Sequence, residues 1–143
     1  MRRPIRHIAG AVLATLLGAG AGPAAASQDL PPLTENDHVW NSLLSASVGD
    51  AIQRKCPTIS PRLFRAFRAA KDLERHALSL GYNPAQIEAF LDSSANKARM
   101  KAERDAYLAA NGVSKDDPES YCRLGREEIA RNTLTGSLLR ETR

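Results

Sequence analysis

Two cysteines occur in the 143 residues, Cys56 and Cys122, and no other feature constrains the fold as much as whether they bond. Cys56 lies in the stretch GDAIQRKCPTISPR, from Gly49 to Arg62, at a corner between two helical patterns. Pro57 follows it at once, and a missing N–H together with a ring clash ends a helix there. Ser60-Pro61 then reads as an N-cap with proline in the first turn of the next helix. Cys122 sits inside the last strong helical pattern, so a bond between the two ties distant helices together. The compartment decides whether it forms, and the start of the chain speaks to the compartment.

Met1 to His7 carries Arg2, Arg3 and Arg6 with no acid, and Ile8 to Ala21 follows as an uncharged apolar run. The run is short for a membrane span. Gly18, Gly20, Gly22 and Pro23 loosen its end, and Ala24-Ala25-Ala26 supplies the small residues that a signal peptidase reads. The expected cut falls between Ala26 and Ser27, which makes the protein periplasmic or secreted and leaves no stable membrane span. The competing reading is an uncleaved N-terminal anchor. Arg2-Arg3 is a weak twin-arginine signal when Pro-Ile-Arg follows it. The cleavage point has no cysteine nearby to carry a lipid.

Export makes a disulfide the expected state of Cys56 and Cys122. Closing so long a loop stabilises the fold by about 4 kcal/mol in the chain-entropy picture. A catalytic cysteine is the alternative, but it wants a nearby histidine, and only His38 and His76 remain after cleavage. Processing also changes the charge argument. Taking three arginines and no acids from 20 basic and 16 acidic residues leaves 17 and 16, a net charge of +1. The sequence pI of about 9.4 therefore reflects the discarded segment, and a nucleic-acid partner is not expected.

Residues 27–34, SQDLPPLT, have two adjacent prolines and no periodicity, and read as an extended leader before a single helical domain over 35–143. Thr34 is the expected cap of the first helix. Trp40, Leu44, Val48 and Ile52 recur every fourth residue and make one apolar stripe. Gly49 within it implies either a close helix contact or a bend, since glycine costs about 1 kcal/mol against alanine there. The next helix is expected over Pro61 to Leu80, with Leu63, Ala66, Phe67, Ala70, Leu73, Ala77 and Leu80 inward and Gly81 as its stop. Arg65, Arg68, Lys71 and Arg75 fall opposite and form the candidate binding face, for an anionic partner or lipid head groups. Asp72 and Glu74 interrupt that face, and the plain reading is solvation. Phe64 projects off the stripe and is expected to pack beneath a neighbouring helix, the alternative being an exposed contact point among the arginines.

Asn83-Pro84 starts a short helix to about Leu91, and Asp92-Ser93-Ser94 marks a second start. A longer helix from Ala95 to Ala110 follows, with Ala95, Ala98, Ala102, Ala106 and Ala109 expected toward the core and Lys97, Lys101 and Arg104 outward. Arg99 and Glu103 are spaced to pair. Asp116-Asp117-Pro118-Glu119 reads as a helix start rather than a calcium loop, which needs alternating ligands and a central glycine. That helix carries Cys122 to about Arg131. Thr133 to Arg143 is expected as a last turn before a frayed end. The fold class expected is thus all-α, a small bundle of four or five helices stapled by one disulfide.

The segments GDAIQRKCPTISPR, LGYNPAQIEAF, KARMKAERDAYLAANGV and DPESYCRLGREEIARNTLTGSLLR, with both cysteines, resemble a family of small secreted alphaproteobacterial proteins known as a domain of unknown function. The resemblance covers about Val39 to Arg140. It implies export and a helical fold, and it carries over no activity or catalytic residue.

Function must then be weighed by class. The chain has no glycine-rich phosphate loop, no zinc-type spacing and no nucleophile motif, so no cofactor, metal ligand or catalytic residue is assigned. A non-enzymatic interaction or accessory module with a protein partner is the leading expectation. A carrier of a small apolar or amphipathic ligand between helices is the alternative. An enzyme comes last, with Glu103, Glu127, Glu128 and His76 as the acid-base groups on offer and no spacing among them that specifies a reaction.

Overall fold

A computed structural model describes residues 29–142, and the expected signal segment with its expected cut between Ala26 and Ser27 lies outside them. After a short 3-10 turn at Leu33–Glu35, the elements run α1 (Asp37–Lys55), β1 (Ile59–Pro61), α2 (Leu63–Ser79), α3 (Pro84–Asp92), α4 (Ser94–Ala110), α5 (Pro118–Ala130), α6 (Leu134–Ser137) and β2 (Leu139–Glu141). The fold is all-α: five helices of seven or more residues and one small two-stranded sheet make up the described part.

Local chemistry sets most helix ends. Asn36, not Thr34, caps α1, its side chain accepting from the Val39 N–H at 3.0 Å, because the 3-10 turn draws Thr34 into an element of its own. Asn83 and Gln86 form a reciprocal capping box at α3, Ser93 caps α4 and Asp117 caps α5. Gly81 takes φ of 102°, the left-handed residue that terminates α2. The expected cap at Ser60-Pro61 does not occur. Those residues are strand β1, whose Ser60 pairs with Arg140, and α2 begins at Leu63 with no side-chain cap. The same pairing orders the C-terminal segment that was expected to fray, since residues 139–141 gain a strand partner 80 residues away in sequence.

The core forms around α1. Val48 and Ile52 of α1, with Cys56 capping its C-terminus, meet Leu108 of α4, Tyr121, Cys122 and Leu124 of α5, Ile59 of β1 and Leu139 of β2. The Cys56 and Cys122 sulfurs stand at disulfide distance, 2.08 Å, and join the end of α1 to α5 inside this cluster. Gly49 marks neither a bend nor a forced close approach: α1 runs unbroken through it, and a Cβ there would lie in ordinary contact, 3.8 Å from Leu139 and Thr135. A second, smaller cluster of Leu33, Val39, Ala77 and Tyr82 lies under α2 and α3. Leu30 and Leu33 of the expected leader pack into it.

The alanine face of α4 is reversed from expectation. Ala95, Ala98, Ala102, Ala106 and Ala109 are all exposed, while Met100, Glu103, Tyr107 and Leu108 turn inward. Small side chains could not fill the space beside α1. The inward face instead reaches across with long groups, Glu103 accepting from the Trp40 indole at 2.6 Å and Arg99 stacking 4.1 Å over the Trp40 ring.

Candidate binding surface

Helix α2 carries the residues to which sequence reasoning pointed, and it is poorly covered. Of its 17 residues only Ala77 is buried. Leu73 and Ala77 seat the C-terminal half on the smaller cluster, whereas Leu63, Phe64 and Phe67 are 73%, 73% and 63% exposed. The expected inward stripe is therefore split along its length. Its wide apolar arc exceeds what α1 and α3 can cover, so one edge packs and the other faces solvent. Phe64 does not pack under a helix; the Arg68 guanidinium lies over its ring at 4.8 Å. Between α2 and α3, above Leu33, Val39 and Leu43, runs an apolar groove of about 460 Å³. Phe67 and Leu91 stand on its walls, and Lys71, Glu74, Glu88 and Asp92 mark its rim.

The four basic residues of the candidate face divide in the same way. Lys71 pairs with Glu74 at 2.7 Å, and Arg75 pairs with Asp72. Arg65 donates to the Ser137 carbonyl at 3.2 Å, and Arg62, which sequence reasoning did not single out, donates to the Leu139 carbonyl at 2.8 Å. Backbone carbonyls orient these two guanidiniums without neutralising them. The tip of α2 thus combines its most exposed apolar side chains with unopposed positive charge, whereas in its second half the basic side chains are paired and the apolar surface is smaller, Leu78 being 40% exposed.

Comparison with known proteins adds a family. A family model described as a family of unknown function, DUF5333, matches residues 31–140, from the first helical turn to the last strand. The chain belongs to this family. No curated protein and no solved structure matches it. The family carries no activity to transfer, so the acid-base groups have to be judged on their own geometry.

Glu128 is the most constrained of them. It is 1% exposed, and its carboxylate accepts from Tyr107 Oη at 2.5 Å, from Arg131 Nη2 at 2.9 Å and from the Thr133 hydroxyl. Burial first, and the facing carboxylate second, push the Tyr107 phenol up to about 12. Thr133 in turn caps α6 by accepting from Gly136 N–H at 3.0 Å. The cluster therefore pins α4, α5 and α6 together. Glu103 is held by the Trp40 indole and then by Arg99, at 2.6 and 2.7 Å, which keep its carboxyl below the usual range. Glu127 pairs with Arg123 at 2.8 Å. His76 is not alone as its sequence position suggests: its ring meets His38 edge-on with centroids 4.7 Å apart, joining the end of α2 to the start of α1. Among the described residues no three His, Cys, Asp or Glu side chains are grouped to hold a metal ion, and no helix is long and apolar enough to cross a membrane.

Proposed function

We propose that the protein is an exported, non-enzymatic interaction module that meets its partner through α2. The observation that carries this reading is the coincidence of three large exposed apolar side chains with unopposed arginines on one helical half. Scattered apolar residues are ordinary on a surface, but a contiguous set beside an apolar groove marks a contact site. Export is supported by the cysteine pair at disulfide distance and by the signal pattern over residues 1–26, and the resemblance to small secreted alphaproteobacterial proteins agrees with it. The absence of enzymatic activity is supported by the carboxylates themselves. Glu103 and Glu128 accept from donors on other elements, and Glu127 pairs with Arg123 one turn away on α5.

Fractionation of gently lysed host cells tests the proposal. The wild type is expected away from the free monomer, in a complex or with membranes, and the triple variant Leu63→Ser, Phe64→Ser, Phe67→Ser is expected in the monomer fraction. A variant that distributes as the wild type overturns the reading.

The groove supports a second reading, carriage of a small apolar ligand. Its volume of about 460 Å³ falls within the range of small-molecule sites, and its walls are apolar. Protein purified from the host without a co-purifying ligand, and unmoved in melting temperature by a panel of fatty acids and isoprenoids, would sink it.

A further inference from the structure

We infer that the N-terminal half of α2 is a docking element for an anionic phospholipid surface, an inference that rests on the interaction reading above and names the partner. Between Arg62 and Lys71 the chain has no acid, and the first turn of α2 has none either. The surface hollow at this tip is lined by Pro61, Arg62, Leu63, Phe64, Arg65 and Arg140, four of them basic or apolar groups of α2's entry and none a carboxylate. Among the described residues, Arg62, Arg65, Arg68 and Arg140 take part in no ion pair, while Lys71 and Arg75 further along the helix do. Along α2, charge is left unopposed on the same half where the largest apolar side chains are left uncovered.

That pairing suits a charged interface with an oily layer beneath it. Leu63, Phe64 and Phe67 enter the boundary of the acyl chains, and the guanidiniums remain at the phosphates, which they bind in bidentate fashion. Arg68 illustrates the arrangement, its guanidinium lying over the exposed Phe64 ring at 4.8 Å, so that charge and apolar surface are presented side by side. A second copy of the chain is a poorer occupant. A two-fold contact would bring the arginines of both copies together, with no carboxylate in the patch to receive them. Such like-charge contacts select against a partner.

Vesicle flotation decides the matter, using the chain as its own host processes it. The wild type is expected to float with vesicles of phosphatidylcholine and phosphatidylglycerol and to stay behind with phosphatidylcholine alone. Raising salt to 1 M, where screening acts within about 3 Å, should release it. Replacing Arg65 and Arg68 by glutamine should weaken partition roughly thirtyfold, about fivefold for each charge near the surface. The apolar triple variant should lose flotation. Lys97→Gln removes one charge from α4, away from the tip, and should change partition less than twofold against about fivefold for either arginine. These side chains are exposed, so unchanged circular-dichroism melts should accompany every variant. In Phe64→Trp the emission should shift to the blue with phosphatidylglycerol vesicles.

A folded wild type that ignores phosphatidylglycerol vesicles overturns the lipid assignment. If the apolar triple variant still disrupts a host complex in that case, the interaction reading stands and its partner is an acidic protein. If the triple variant alters neither binding nor host fractionation, both fail together.

Discussion

Helices α2 and α5 are both amphipathic, yet one is covered and the other is not. Helix α5 buries Ser120, Tyr121, Cys122, Leu124, Gly125 and Glu128 out of 13 residues; α2, with 17, buries Ala77. The difference lies in what each helix meets. The buried face of α5 joins a cluster that also draws on α1, α4 and the two strands, locked by the disulfide and the Glu128 network. Helix α2 meets a smaller cluster at one end and solvent at the other. An apolar stripe states that a helix can bury a face, and the number of neighbours states whether it does. The uncovered part of α2 is then either unused or used by something outside the chain.

Substitutions on the α5 side should be costly and those at the α2 tip nearly silent. The largest effect is expected at Gly136, where a Cβ would lie 2.0 Å from the Glu128 carbonyl oxygen, a backbone atom that cannot step aside. Gly136→Ala should cost about 4 kcal/mol or prevent folding, read by urea unfolding. Replacing Cys56 and Cys122 by serine should cost about 4 kcal/mol, since their bond closes a loop with a sequence separation of 66. Reductant should produce the same loss in the wild type and none in the double variant.

Tyr107→Phe comes next, because it removes one of the two donors to the buried Glu128 Oε1 and leaves Arg131 alone there, at about 1 kcal/mol. It also carries a pH signature. The phenol of Tyr107 is raised from 10.0 to about 12 in the folded protein, so its contribution is present below pH 10 and is lost as pH rises toward about 12. Melting temperature followed across that window should fall more steeply in the wild type than in Tyr107→Phe. A similar slope in both would detach the tyrosine from the Glu128 network.

Two smaller effects sharpen the contrast. Gly49→Ala places a Cβ in ordinary contact with Leu139 and Thr135 at 3.8 Å and should raise stability by about 0.5–1 kcal/mol through helix propensity. The combined Leu63→Ser, Phe64→Ser and Phe67→Ser variant should change stability by no more than about 0.5 kcal/mol. A loss of several kcal/mol there would mean that the tip is packed in solution, and the comparison between the two helices would collapse.

Much of this architecture could be read from short stretches of the chain. Asn83, Ser93, Asp117 and Gly81 act through their own backbone turn, so local pattern found the helix ends they control. Cys56 and Cys122 were legible because only one pairing exists between two cysteines. Other signals misled for a physical reason. Alanines at helical spacing on α4 mark a face but not its direction, and the gap beside Trp40 needed longer side chains than alanine. Ser60-Pro61 has the chemistry of a cap and was taken instead by a strand partner, Arg140 and Leu139, from the far end of the chain. Gly125 and Gly136 are close-approach positions only because Ile59 and the Glu128 backbone lie against them.

The candidate site divides along the same line. Arg65, Arg68, Lys71 and Arg75 were visible as one basic face, and position along the helix could not tell which of them keep an unopposed charge. Sequence by itself determined the helix-rich class, the order of the helices, most of their caps and the cysteine pairing, because each rests on residues a turn apart or on composition. Tertiary structure alone decided which apolar faces are covered, that β1 and β2 pair across most of the chain, that His38 meets His76 and that the tip of α2 stands open. Those outcomes depend on how many neighbours reach a surface from elsewhere in the chain, and no local pattern contains that number.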